Sequence, residues 1–264
     1  FITEIFAKMV QLHVKKGDQG QFLFDTSVEE SVDGVLNSIV IIYNGRLKIE
    51  RITSELEELS KHGVSLPPNM VGLTDEQIID LKLVDEWGQK CVPMGGFVME
   101  KDPLSRRNGK SPMANYKDIL NRSISEAKAL VSKKQIDVNV AMTPRIIQEA
   151  LDILKGAMLI VYPMGLPPYD PIQMEFNNKE ELEGTQASKE VIEESMAQLW
   201  FCGKEMLRDK KLKDYLGRNE KCKVVVKLHK RGQGAPAREP LMTEEEQKKM
   251  MALAYKRQEE LKVQ

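Results

Sequence analysis

In the stretch Gly156-Ala157-Met158-Leu159-Ile160-Val161-Tyr162-Pro163-Met164-Gly165-Leu166-Pro167-Pro168-Tyr169-Asp170-Pro171, two incompatible kinds of backbone meet. Its first half, Ala157 to Tyr162, is an unbroken apolar run with β-branched and aromatic members, the composition of a strand buried on both faces. Its second half holds Pro163, Pro167, Pro168 and Pro171, each of which fixes φ and removes a backbone donor, so neither helix nor sheet interior can continue through it. The stretch therefore predicts a buried strand feeding a stiff, exposed loop. A loop held in one conformation by proline loses little entropy on binding, which makes Met164, Leu166, Pro167, Pro168, Tyr169 and Asp170 candidate partner-binding residues. The same prolines equally suit a plain connector between strands.

Downstream, Ile172, Met174 and Phe176 alternate with Gln173 and Glu175 and predict a second strand returning from the loop. Ile192, Met196, Leu199, Trp200 and Met206 recur at spacings that predict a helix within 189–207, and Val224, Val226 and Leu228 mark a third strand over 223–230. The order ββαβ makes residues 157–231 a small α+β domain. Residues 232–264 add a Gly/Pro tether and a terminal amphipathic helix, with Met250, Met251, Leu253, Ala254 and Leu261 in one arc. A narrow, methionine-containing stripe on a tethered helix suits a partner's groove, or the chain's own surface. Met250, Leu253 and Leu261 therefore join the candidate docking residues, with Arg231 and Arg238 along the tether.

Upstream, Val10, Leu12 and Val14 alternate with Gln11, His13 and Lys15, turn residues follow at Gly17 to Gly20, and Phe22 and Phe24 return as a second strand. Ser27 with Glu30 forms a capping box, and Val32, Val35, Leu36, Ile39, Val40 and Tyr43 recur at helical spacing until Asn44-Gly45 stops the run. A hairpin followed by a buried helix opens a ubiquitin-like β-grasp unit, which a second helix over Ile49 to Leu59 extends to residue 63. Residues 64–156 read as a linker, a capped helix from Asp75 to Leu83, a long irregular loop from Cys91 to Ser111, and two helices, the second started by Thr143-Pro144. Met94, Met99 and Met113 read as gap fillers. Residues 1–8 precede Met9, where the strand pattern begins, and no function is assigned to them.

The 39 basic and 40 acidic residues leave a net charge of -1, which argues against a dedicated nucleic-acid or membrane-surface protein. The three cysteines, Cys91, Cys202 and Cys222, are too scattered for a disulfide framework or a metal site, which points to a reducing compartment. No apolar run has the length of a membrane span. His13, His62 and His229 stand in different elements, so no nucleophile or zinc constellation forms locally, and no catalytic residue, metal or cofactor is expected. Lys221, Lys223, Lys227, Lys230 and Arg231 could meet an acidic partner or simply guard a solvated strand.

Seven segments taken together resemble one family. They are Leu66-Pro67-Pro68-Asn69-Met70, Gly72-Leu73-Thr74-Asp75-Glu76-Gln77, Asp85-Glu86-Trp87-Gly88, Arg106-Arg107-Asn108-Gly109, the run from Val161 to Pro171, Gly184-Thr185-Gln186-Ala187, and the run from Arg231 to Pro240. From Met9 onward the chain resembles the Kurly family of cilia- and flagella-associated proteins. The resemblance implies a non-enzymatic factor for motile cilia, acting in cytoplasmic preassembly of axonemal dynein arms, the outer arm especially, and in ciliary positioning. Its partners would be dynein-arm assembly factors, axonemal dynein chains or axonemal microtubules. Its location would be the cytoplasm, the cilium or flagellum, or the basal body. A stable structural component of the axoneme is the competing expectation.

Overall fold

The computed structural model describes residues 9–237 and 244–262, and within the latter stretch side chains are described for 248–257. Residues 1–8 and Arg238 lie outside the described residues. Strands β1 (Val10–Lys16) and β2 (Gln19–Thr26) form the antiparallel hairpin that their alternation predicts. Helix α1 (Val32–His62) follows, capped by Ser31, whose side chain accepts from the Gly34 amide; the expected cap, Ser27, instead accepts from the Glu29 amide in the preceding turn. The helix does not stop at Asn44-Gly45. A Cβ on Gly45 would lie 2.4 Å from Ile147 Cγ2, so this glycine is a point of close helix approach rather than a terminator. Val35, Leu36, Ile39, Ile42, Ile49, Ile52, Leu56 and Leu59 are all buried along α1. Each contributes about 1.5–3 kcal/mol by leaving water, which is why one helix can run so far.

A long insertion follows α1. It holds α2 (Asp75–Asp80) with the Thr74–Gln77 capping box, α3 (Glu86–Lys90), the hairpin β3 (Phe97–Met99) and β4 (Lys110–Pro112), α4 (Ala114–Leu130), α5 (Pro144–Val161), α6 (Pro171–Phe176) and the short α7 (Gln186–Glu190). Helices α4, α5 and α6 pack on α1. The region expected to be irregular between Cys91 and Ser111 thus contains a hairpin, and Met94, Met99 and Met113 are exposed rather than filling gaps.

Three further stretches differ from expectation. Ala157 to Val161 is the last part of α5, not a strand: Ala157, Met158 and Val161 are buried, whereas Leu159 and Ile160 are 43% and 55% exposed, as a helix with one wet face requires. Residues 172–176 form α6, with Asp170 as N-cap and Pro171 at its first turn, an arrangement that fixes helical φ and outweighs five residues of alternation. The span expected to be a helix within 189–207 is instead the hairpin β5 (Ala197–Phe201) and β6 (Lys204–Met206), turned by Cys202 and Gly203 at positive φ.

After α8 (Lys213–Leu216), β7 (Lys223–Lys230) is a strand as expected, and it pairs parallel with β1. The result is one five-stranded sheet of order β2-β1-β7-β5-β6. The N-terminal ββα unit is therefore completed by strands from the C-terminal part of the chain, with the first and last strands side by side at the centre. This is the strand order of a β-grasp sheet, and its inward side chains, Leu12, Val14, Phe22, Leu199, Val226 and Leu228, join those of α1 in a continuous core. The class is mixed α and β, ending in the helix α9 (Glu244–Lys262).

Candidate docking site

The proline loop is anchored from beneath. Asp170 is fully buried, with Oδ1 accepting from the Ile172 amide at 3.0 Å to cap α6 and Oδ2 accepting from the Ser65 amide at 3.0 Å. Arg107 Nη1 lies 3.6 Å from Asp170 Oδ2 and donates to the Gly63 carbonyl at 2.9 Å, while Nη2 donates to Glu55 Oε2 at 2.6 Å. One guanidinium therefore joins the end of α1, the segment after it and the proline loop, with both neighbouring carboxylates satisfied. The turn carrying Arg107 is fixed by Asp102. Burial pushes the Asp102 carboxyl up, but the amides of Leu104, Arg106 and Arg107 outweigh it and hold the group below its ordinary range.

Two tyrosines and a cysteine complete this junction. The Tyr169 hydroxyl donates to Asp85 Oδ1 at 3.4 Å, and the same oxygen accepts from the Gly88 amide at 2.8 Å to cap α3. Burial, reinforced by Asp85, pushes the Tyr169 hydroxyl pKa up, and burial does the same for Tyr162. The Cys91 thiol is likewise pushed up, first by burial and then by the charges of Asp170 and Asp85. A thiol held protonated has poor nucleophilicity, so this cluster supports a structural role. Among the described residues, no group of three or more His, Cys, Asp or Glu side chains could hold a metal ion.

The structure separates the residues expected to dock partners. Leu166, Pro167 and Asp170 are buried and serve the fold, and Tyr169 is half-buried, leaving Met164 and Pro168 as the exposed ones among the loop's expected docking residues. Arg231 is exposed at the end of β7, where its amide donates to the Met196 carbonyl at 2.7 Å. The tether folds back so that Pro236 and Ala237, with Trp200 and Val225, line a cavity of about 380 Å³, and Lys227 Nζ donates to the Ala237 carbonyl at 2.7 Å. Beyond it, every described side chain of α9 is exposed, including Met250 and Leu253. The Leu261 side chain lies outside the described residues. Sequence reading missed Arg107 as the organiser of the loop, because its partners Asp170 and Glu55 are remote in the chain and no local spacing links them.

The model of the family described as Cilia- and flagella-associated protein 298 matches residues 197–264, a span that includes β5 to β7, the tether and α9. Over 238 residues the chain is 59% identical to Cilia- and flagella-associated protein 298 of Danio rerio, covering 90% of this chain and 82% of that relative. The protein of the same name from Homo sapiens is 56% identical over 89% of this chain and 81% of its own length. For Drosophila melanogaster the identity is 52%, over 96% of this chain and 87% of the relative. No solved structure matches the chain. With identities this high over nearly the whole sequence, the chain belongs to the cilia- and flagella-associated protein 298 family.

Proposed function

We propose that the protein is a non-enzymatic adaptor that acts in the cytoplasm during preassembly of axonemal dynein arms, the outer arm especially, and so supports ciliary motility and positioning. The observation that carries this reading is α9. Its described apolar side chains, Met250, Met251, Leu253 and Tyr255, face solvent, yet the helix falls within the stretch that the family's model matches. A helix with apolar groups left in water is stabilised by a partner that covers them, and its methionines can adapt to more than one groove. Dynein-arm assembly factors and axonemal dynein chains are the partners this reading names.

A resident axonemal role would draw on the lysine-bearing strand β7, which could face an acidic filament. Two of those lysines are engaged within the chain: Lys227 pairs with Asp18 at 3.2 Å, and Lys223 donates to Asn139 Oδ1 at 2.6 Å. The adaptor reading is favoured on that ground. Fractionation of ciliated cells tests it. The expected result is recovery of the protein in the detergent-soluble cytoplasm together with unassembled dynein chains. Retention on axonemes after a salt wash, with none recovered in the cytoplasm, would replace the adaptor with the resident.

A further inference from the structure

The hairpin in the insertion leaves its outer strand uncovered. Phe97, Val98 and Met99 of β3 are 41%, 46% and 66% exposed, so both faces of the strand are apolar and open to solvent. The register pairs Phe97 with Pro112, Val98 with Ser111 and Met99 with Lys110, and the Glu100 amide donates to the Gly109 carbonyl at 2.8 Å. Alternation along an antiparallel pair then directs the backbone groups of Val98 and Glu100 toward β4, and those of Phe97 and Met99 outward. The far side of β4 is occupied, since Ser111 Oγ donates to the Ser60 carbonyl of α1 at 3.0 Å.

The edges of the main sheet are protected in ways that β3 is not. Edge strand β6 carries the charges Lys204 and Glu205, and β2 is covered where Leu23 bridges Ala141 and its carbonyl accepts from the Met142 amide at 2.7 Å. Charge and cover are the usual protections of a sheet edge, and an apolar edge with neither is a template for another strand.

The surroundings of β3 indicate what that strand carries. Trp87 and Met94 are exposed nearby, with Lys90 Nζ 5.3 Å from the Trp87 ring centroid. Lys110 Nζ lies 5.4 Å from the Phe97 ring centroid and donates to the Gly88 carbonyl at 2.9 Å. Two local carboxylates are taken, Glu100 by Lys117 at 2.8 Å and Asp75 by Lys101 at 2.6 Å. Among the described residues, Lys90 and Lys110 pair with no carboxylate. The surface is also continuous with the proline loop, through Tyr169 and Asp85 on one side and the Met94 amide donating to the Val161 carbonyl at 2.8 Å on the other.

We propose that β3 is a docking edge for an extended segment of a partner polypeptide, apolar at its centre and acidic at its flanks, which adds as a third strand. Main-chain bonds to Phe97 and Met99 supply affinity, the apolar centre covers their side chains, and the carboxylates meet Lys90 and Lys110. The proposal makes no use of α9, so it holds or fails independently of the adaptor reading.

The test titrates the full chain with the peptide acetyl-Glu-Glu-Val-Thr-Val-Glu-Glu-amide and with its counterpart bearing lysine for glutamate. The expected result is saturable binding of the acidic peptide, slower amide exchange at Phe97 and Met99, and affinity for the basic peptide lower by about tenfold or more. Met99→Pro, which removes an outward donor and spares the bonds to β4, is expected to abolish binding. Should that variant not fold, Lys90→Glu is expected to weaken the acidic peptide and improve the basic one. Absence of binding, equal affinity for both peptides, or binding undiminished in these variants overturns the proposal. So does protection of the same amides by self-association without peptide, which would assign the edge to a second copy of the chain.

Discussion

Asp170→Ala is expected to lower the stability of the fold by about 3–5 kcal/mol, the cost of removing one side of a buried ion pair. Three losses coincide at that residue: the cap of α6, the acceptor for the Ser65 amide, and one of the two carboxylates beside Arg107. A buried amide left without an acceptor costs about 1–3 kcal/mol, and a lost N-cap about 0.5–2 kcal/mol. Arg107 keeps Glu55, so the effect is not that of a wholly orphaned charge. Asp170→Asn retains an acceptor oxygen and is expected to fall between wild type and alanine. Urea unfolding measures both; a change below about 1 kcal/mol for Asp170→Ala would show that the junction does not hold the loop.

For Gly63→Ala the expected loss is comparable, roughly 2–6 kcal/mol from backbone strain and steric overlap together. Gly63 ends α1 at φ 77 and ψ -161, a conformation in essence reserved for glycine. An added Cβ would lie 2.4 Å from the Lys110 carbonyl oxygen, which is backbone and cannot swing aside. Moving it would disturb the neighbouring bonds from the Gly109 amide to His62 and from Arg107 to the Gly63 carbonyl. Gly165 is the control. It also has positive φ, 75, but open space around the missing Cβ, so Gly165→Ala should cost only about 1–2 kcal/mol. Thermal unfolding of the two variants side by side checks the comparison, and equal losses would contradict it.

These residues also show what the sequence discloses. The β1–β2 hairpin was legible because alternation beside a turn has one reading, and Thr74 and Thr143 announced their helices by capping chemistry. Asp170-Pro171 is the same kind of signal as Thr143-Pro144, yet its alternating neighbours pull toward a strand. The run from Ala157 to Tyr162 is ambiguous in itself, because a short apolar run suits a buried strand or a buried helix, and only continuity from Thr143 favours the helix. Gly45 reads as a stop because propensity is local, while its reason is the Ile147 side chain of another helix.

The candidate site was less legible than the fold. Proline content correctly marks the stretch after Val161 as irregular, but composition cannot distinguish residues that face a partner from residues that hold the loop down. Tyr169 and Asp170 have the chemistry of interface anchors, and the structure spends them on Asp85, Ser65 and Arg107. The exposed apolar edge of β3 was hidden for a different reason. Three residues are too few to show a period, and its pairing with β4 becomes visible only in space.

The central claim is that the sheet and its insertion form a self-sufficient platform from which α9 captures partners. The most direct measurement pairs thermal unfolding with affinity recovery of axonemal dynein chains from ciliated-cell cytoplasm, for the full chain and for a chain ending at Pro240. Because the described side chains of α9 are exposed, the account predicts an unchanged melting temperature and loss of dynein recovery for the shortened chain. Undiminished recovery, or a large fall in melting temperature, would contradict it.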